Sequence, residues 1–243
     1  MSQQDTDVKE GIQNTVDWLD DVRLETGHRL SRVFRDWTTL MVAALAGDDD
    51  IYNHQLDDYA SLEEDPNTRR EVAESFSKAF GELSATTITA DRPVIGDVYE
   101  EIGTRSDRLG QYFTPWNLCQ LKAELITAGK DHDQSGDPVT ISDPACGSGR
   151  LLIAEAKRLH EEDPETPVIA TGVDKDRTCA RMAVINLAIA GVPGRIHHGD
   201  SLSMDFHRTW LIDPTTAGPT VKQVEPPEVS EESDADDARQ ATL

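Results

Sequence analysis

Apolar residues recur along this chain with a helical period first and a strand–helix alternation later. Within residues 8–84 the period is helical. Ile12, Val16, Leu19 and Val22 share a face and predict a short first helix. Leu30, Val33, Phe34, Trp37, Leu40, Met41 and Leu45 predict a second, closed by Gly47 with aspartates behind it. Val72, Phe76, Ala79, Phe80 and Leu83 predict a third, from near Pro66 to near Ser84. Residues 1–91 therefore read as a helical N-terminal region whose aromatic residues are core.

From Arg92 the pattern changes. Val94, Ile95, Val98, Tyr99 and Ile102 form an apolar helical face. Thr114 before Pro115 predicts a helix start, which runs through Leu118, Leu121, Leu125 and Ile126 to Gly129. A β-branched run, Val139-Thr140-Ile141, then leads through a glycine turn into a helix over 149–162. A second strand over 167–173 follows, then a helix capped by Asp176 and stopped at Gly191 and Pro193. A third strand, Arg195-Ile196-His197-His198, completes a βαβαβ order, which predicts a parallel sheet with right-handed crossovers. Adjacent His197 and His198 point to opposite faces of a strand, so one reads as surface and one as core rather than as a metal pair. From Pro214 periodicity is lost. Seven carboxylates stand against Lys222 and Arg239, and residues 214–243 read as a disordered acidic tail.

Charge changes the picture next. Asp and Glu total 46 against 23 Lys and Arg, a net charge of −23, and the basic set is 16 Arg to 7 Lys. Three readings are open: an unfolded acidic chain, a protein with basic partners, and a cytosolic protein of a salt-loving organism. The periodic segments argue against the first. The spread of acid along the whole chain and the scarcity of Lys favour the third. At molar salt the Debye length is only ~3 Å, so the acidity does not exclude nucleic acid as a partner. Cys119, Cys146 and Cys179 are odd in number and widely spaced, which suits a reducing, cytoplasmic compartment without a disulfide framework. A membrane span is not expected, and the polar start of the chain is unlike a secretory signal.

The candidate chemistry lies at the glycine turn, Asp143-Pro144-Ala145-Cys146-Gly147-Ser148-Gly149-Arg150. A strand that turns through glycines into a helix lets a ligand approach bare amides at a positive helix end. Asp174 at the second strand tip has the place of an acid that accepts from a ribose. The pattern is G-x-G preceded by Asp-Pro-Ala, not G-x-G-x-x-G, which points away from NAD. Cys146 reads as a small residue fitting a tight turn rather than a nucleophile.

Together these residues resemble the N-6 adenine DNA methyltransferases, and most closely the modification subunit of type I restriction–modification systems. Gln111-Tyr112-Phe113-Thr114-Pro115 is similar to that family's motif X, preceded by a short helix around Gly96-Asp97-Val98-Tyr99-Glu100. The glycine turn is similar to motif I, Gly172-Val173-Asp174 to motif II, and Gly199-Asp200-Ser201-Leu202 to motif III. The resemblance spans about residues 92–205. It implies an α/β, Rossmann-like S-adenosylmethionine-dependent methyltransferase core over 92–213, incomplete, behind the helical region. It also implies a cofactor site built from Gln111, Tyr112, Phe113, Thr114, Pro115, Asp143, Ala145, Gly147, Ser148, Gly149, Arg150, Asp174 and Asp200. Asp143 would accept from the methionine ammonium, Phe113 form an apolar wall, Asp174 hold the ribose and Asp200 lie near the adenine. DNA is the implied substrate, with a second methyltransferase chain or a specificity subunit as implied partner.

One motif breaks the pattern. The family's catalytic Asn-Pro-Pro-aromatic, at the end of the fourth strand, engages the flipped adenine. No Asn-Pro-Pro occurs in the sequence. The candidate position is Trp210-Leu211-Ile212-Asp213-Pro214-Thr215-Thr216, which offers Asp213 in place of the amide and no aromatic. Three classes stay open: an adenine-N6 methyltransferase that needs another chain for this motif, a non-catalytic module that holds S-adenosylmethionine or DNA, and a structural remnant.

Overall fold

The computed structural model describes residues 2–60, 67–105, 112–127, 137–215 and 220–227. Its N-terminal helices are α1 (Gln3–Thr26), α2 (Leu30–Ala46), α3 (Asp49–Ala60) and α4 (Thr68–Ala90). Helix α1 is longer than its apolar period predicts. Ser2 Oγ accepts from the Asp5 amide at 3.1 Å, and the Asp5 carboxylate accepts from the Ser2 amide at 2.9 Å. This reciprocal cap starts the helix on residues that bury little. Gly11 lets α1 lie close on α4, because a Cβ there would fall 2.0 Å from Thr86 Oγ1. Helix α3 has no counterpart in the apolar period. Asp48 Oδ1 caps its Ile51 amide at 2.9 Å, and the aspartates of its first turn sit at the positive end of the helix dipole. It still buries Leu56 and Tyr59, which packs edge-on to Phe76 at 5.6 Å.

The helical region shares one core with the rest of the chain. Trp37 donates its indole N–H to the Phe76 carbonyl at 3.1 Å. Phe34 touches Trp37 on one side and Tyr99, in α5 (Ile95–Arg105), on the other, at centroid distances of 5.7 and 5.5 Å. A single apolar cluster runs from Val8 to Val221.

Next come α6 (Trp116–Thr127), β1 (Val139–Asp143), α7 (Arg150–Glu162), β2 (Val168–Asp174), α8 (Arg177–Ala190), β3 (Gly194–Asp200), β4 (Asp205–Ile212) and β5 (Val221–Val224). Helix α6 starts one residue later than predicted: the Pro115 carbonyl, not Thr114, accepts from the Leu118 and Cys119 amides. The predicted βαβαβ order holds, with β1–β2 and β2–β3 parallel. Asp176 caps α8 through the Thr178 and Cys179 amides, and left-handed Gly191 ends it. Helices α2, α7 and α8 cover the sheet face that carries Ile141, Val168, Ala170, Ile196 and Trp210. On the opposite face Thr140, Ser142, Ile169 and Arg195 are exposed.

Two expectations are corrected. The chain beyond Pro214 is not wholly a tail: residues 221–224 form β5, antiparallel to β4, and Val221 is buried. Lys222 and Gln223 lie together between Val221 and Val224, so the strand is too short and too irregular to give a period, which hid it. Residues 228–243 lie outside the described residues. In addition, β4 is antiparallel to β3. It therefore leaves the strand tips and runs back, and Ile212 pairs with Gly194 at the start of β3.

Candidate cofactor site

The site forms at the carboxyl ends of β1 and β2. Asp143 closes β1, and its Oδ1 accepts from the Ala145 amide at 3.0 Å, which bends the chain out of the strand. The Cys146 amide bonds the Val173 carbonyl at 2.9 Å and stitches the turn to β2. Gly147 and Gly149 have φ of 54° and 76°, a left-handed conformation that glycine adopts without strain. The chain then enters α7 at Arg150.

Asp174 clamps this turn. Its Oδ2 accepts from the Gly147 amide and its Oδ1 from the Asp176 amide, both at 2.8 Å. Burial pushes this carboxyl up from its usual value, and the two amides pull it partly back. Phe113 covers the turn: two of its ring atoms lie 3.3 Å from where a Gly147 Cβ would stand, so a larger residue would press on the ring. Phe113 is itself held by a 2.8 Å bond from its amide to Glu100 Oε1 and by the Tyr99 ring edge at 5.5 Å.

Arg150 ties the parts together. It is only 5% exposed. Its Nη2 lies 2.8 Å from Asp97 Oδ1 in α5, and its Nη1 donates to the Thr114 carbonyl at 3.3 Å. The guanidinium carbon stands 5.9 Å from the Phe113 ring centre. Arg150 thus fixes the segment before α6 over the turn.

Between these groups lies a cavity of about 460 Å³, within the range of small-molecule sites. It brings together Tyr112, Phe113, Thr114, Asp143, Ala145, Gly147, Ser148, Arg150 and Asp174 from the sequence reading. Tyr112 is 90% exposed at its mouth. Ser148 Oγ, buried in its wall, has no hydrogen-bond partner. Sequence reasoning missed Lys122 and Leu151, together with Cys119 and Cys179, which helices α6 and α8 contribute. No local motif marks them; only packing brings them there. Cys146 also lines the cavity, yet burial and the neighbouring Asp174 push its thiol up, as expected of a packing residue.

Three sequence-predicted residues are not part of the lining. Pro115 is exposed beyond it. Gly149 faces inward, against Ala183 and Leu187, with its amide bonded to the Cys146 carbonyl at 2.8 Å. Asp200 sits at the tip of β3, where Lys175 lies 2.7 Å from its Oδ2 and holds it below the usual carboxylate range. Gln111 lies outside the described residues. Asp213 is displaced furthest. It follows the antiparallel β4, so it stands at the opposite end of the sheet, about 20 Å from the tips at ~3.3 Å per residue. Its carboxylate accepts from the Thr215 amide and hydroxyl at 3.0 and 2.6 Å. It is a turn residue, and the reading of 210–216 as a catalytic position is overturned. His197 is buried and bonds Thr209 Oγ1 at 2.7 Å, while His198 is half-buried; no group of metal-ligand side chains occurs among the described residues.

A glycine turn at the first strand tip, locked by an acid from the second, places the chain in the Rossmann-like α/β class. The chain belongs to the N-6 DNA Methylase family, whose model matches residues 90–225. It is 28% identical over 155 residues to the MjaVII type I restriction enzyme methylase subunit of Methanocaldococcus jannaschii, covering 61% of this chain and 25% of that protein. The MjaIX methylase subunit of the same organism is 27% identical over 146 residues, covering 58% and 25%. The chain thus spans about a quarter of the length of these relatives. Among solved structures, it is similar to a putative class I S-adenosylmethionine-dependent methyltransferase from Listeria monocytogenes. That match has 17% identity and a TM-score of 0.48, over 79% of this chain and 54% of the other. A type I restriction–modification methyltransferase subunit from Streptococcus thermophilus gives 16% and 0.42, over 83% and 59%.

Proposed function

We propose that this chain is the S-adenosylmethionine-binding part of an N-6 adenine DNA methyltransferase, and that a partner chain supplies the adenine-side residues. The observation that carries the reading is the turn at Gly147, roofed by Phe113 and clamped by Asp174, on a cavity that Asp143, Asp174, Lys122 and Arg150 line. The residues fit the cofactor. The unpartnered Ser148 Oγ and the apolar Phe113 face offer what a methionine end and a nucleoside need. Asp143 is placed to accept an ammonium, and Asp174 to accept ribose hydroxyls through the second lone pairs of its oxygens. Tyr112 and Thr114 line the entrance, and Arg150 positions them. Bound S-adenosylmethionine would supply an electrophilic methyl group.

The partner's place is suggested by what β1 lacks. Among the described residues its one neighbour is β2, leaving a parallel edge open. Beside α7, helix α6 exposes Leu118, Leu121 and Leu125 at 46, 50 and 69%. A strand carrying Asn-Pro-Pro-aromatic, docked along β1, would put an adenine pocket next to the cofactor cavity. One observation favours the alternative of a non-catalytic accessory module. Sheets covered on both faces read as near-continuous apolar runs, whereas here Thr140, Ser142 and Arg195 face water.

Calorimetry with S-adenosylmethionine in molar KCl tests the cofactor site. We expect saturable binding that Asp174→Ala weakens about tenfold or more, the loss of a charge-assisted bond. No heat would remove the proposal. Labelled methyl transfer to duplex DNA separates the two readings. None is expected from this chain alone; transfer on adding an Asn-Pro-Pro-aromatic partner supports the split enzyme, and its failure supports the accessory module.

A further inference from the structure

A second cavity, of about 780 Å³, lies between α2, α3, α8 and the strand β4. It shares no lining residue with the cofactor cavity. Its walls carry Arg35 from α2, Arg177 and Arg181 from α8, and Arg208 from β4. Four arginines in one hollow are unexpected in a chain of net charge −23 with only 23 basic residues. They form a graded funnel: Arg35 and Arg177 are exposed at the rim, Arg208 is half-buried, and Arg181 is 7% exposed at the base.

Four guanidinium groups face three carboxylates in this hollow, and no close pair joins them among the described residues. None of the four guanidinium groups makes a hydrogen bond or ion pair with a described residue, although most other arginines of the helical region are paired. Three carboxylates also line the hollow: Asp36, Asp50 and Asp176. Two bond other groups and attract Arg181 only from a distance. Asp36 accepts from the Tyr59 hydroxyl at 2.8 Å and from Arg32 at 3.3 Å, and Asp176 caps α8. Asp50 is exposed in the first turn of α3. Burial, and then the repulsion of Arg177 and Arg208, push the Arg181 guanidinium down to about 9, so it still carries its charge at neutral pH. A buried cation that faces a cavity, bonds no carboxylate among the described residues and is crowded by like charges is stabilised by an anion that can enter.

We infer that this cavity is a binding site for a small phosphate-bearing anion of polyphosphate or nucleotide size. Guanidinium groups converging from three elements suit several phosphate oxygens at once, because each presents a planar fork of donors. Arg181, at the base, would be reached by a terminal phosphate entering the hollow, whereas a duplex backbone meets only the rim. The apolar and neutral wall of Ile51, His54 and Gln55 on α3 gives a nucleoside something to lie against that inorganic polyphosphate cannot use. The inference is independent of the methyltransferase reading.

The test is calorimetry on the full chain at constant ionic strength in dilute KCl, with inorganic tripolyphosphate in one arm and ATP in the other. We expect saturable binding of both, and tighter binding of ATP if the α3 wall is used. Exposed Arg177→Gln should weaken binding about tenfold, the loss of a charge-assisted contact, and R177Q/R208Q should abolish it. Arg181→Gln adds the buried contact, with its melting curve reporting whether it folds. S-adenosylmethionine binding by R177Q should be unchanged. Absence of saturable binding in both arms overturns the inference, as does wild-type affinity in R177Q/R208Q. Duplex DNA as the sole ligand weakened by these variants overturns it too, because the rim would then be a backbone contact.

Discussion

Asp174 shows how far a single side chain could be read from the sequence. Its position at the end of a β-branched run marks it as an acid at a strand tip. Its grip on the Gly147 amide, 27 residues away, has no local signature. The same holds for Arg150, whose partners Asp97 and Thr114 come from α5 and the segment before α6. His197 was read only as one of two faces of a strand. Its contacts with Thr209 and with Phe206, stacked at 4.5 Å, belong to β4 and emerge only on pairing. Burial, and then Arg195, hold His197 below its usual range, and His198 is lowered in the same direction. Below about pH 6.5 the unfolded chain takes up protons that these folded histidines refuse. Their contribution to stability is therefore full above that pH and is lost as pH falls toward their folded values. Thermal melts between neutral and mildly acidic pH should show His197→Gln losing less melting temperature than wild type. Equal slopes would show that His197 does not titrate as its burial requires.

At the scale of elements, those with a long apolar face were legible. Helix α2, the unit β1–α7–β2–α8 and strand β3 all fall within a residue or two of their predicted limits. Four features were not, among them the last turns of α4, which runs to Ala90 rather than ending near Ser84. The start of α1 depends on a cap, α3 buries two residues from a polar run, and β5 is four residues long. In each, tertiary partners outweigh a weak local pattern. Strand β5 is testable because the sequence reading makes it dispensable. Val221 is 1% exposed and pairs with Ile212, while Lys222 is exposed. Val221→Asp places an unpaired charge in the core and should cost about 3 kcal/mol or more. Lys222→Ser should be near neutral. Urea denaturation of the two variants decides it: a Val221→Asp midpoint equal to wild type would mean the hairpin adds nothing to the fold.

Over the whole molecule, a net charge of −23 sets a salt dependence. Raising ionic strength shortens the Debye length from about 8 Å to about 3 Å and screens the mutual repulsion of surface carboxylates. The melting temperature should rise by several degrees from dilute to molar KCl; a flat profile would count against a surface adapted to salt. The sequence by itself determined the helical first part, the βαβαβ order, the glycine turn and its acid at the second strand tip. These follow from periodicity and from backbone conformations that few residues allow. Only the tertiary structure decided which of these groups share a hollow. It also decided the direction of β4, which carries Asp213 away from the strand tips, and the gathering of four distant arginines around one cavity. Strand direction and long-range proximity depend on pairing partners far along the chain, and no local pattern of side chains encodes them.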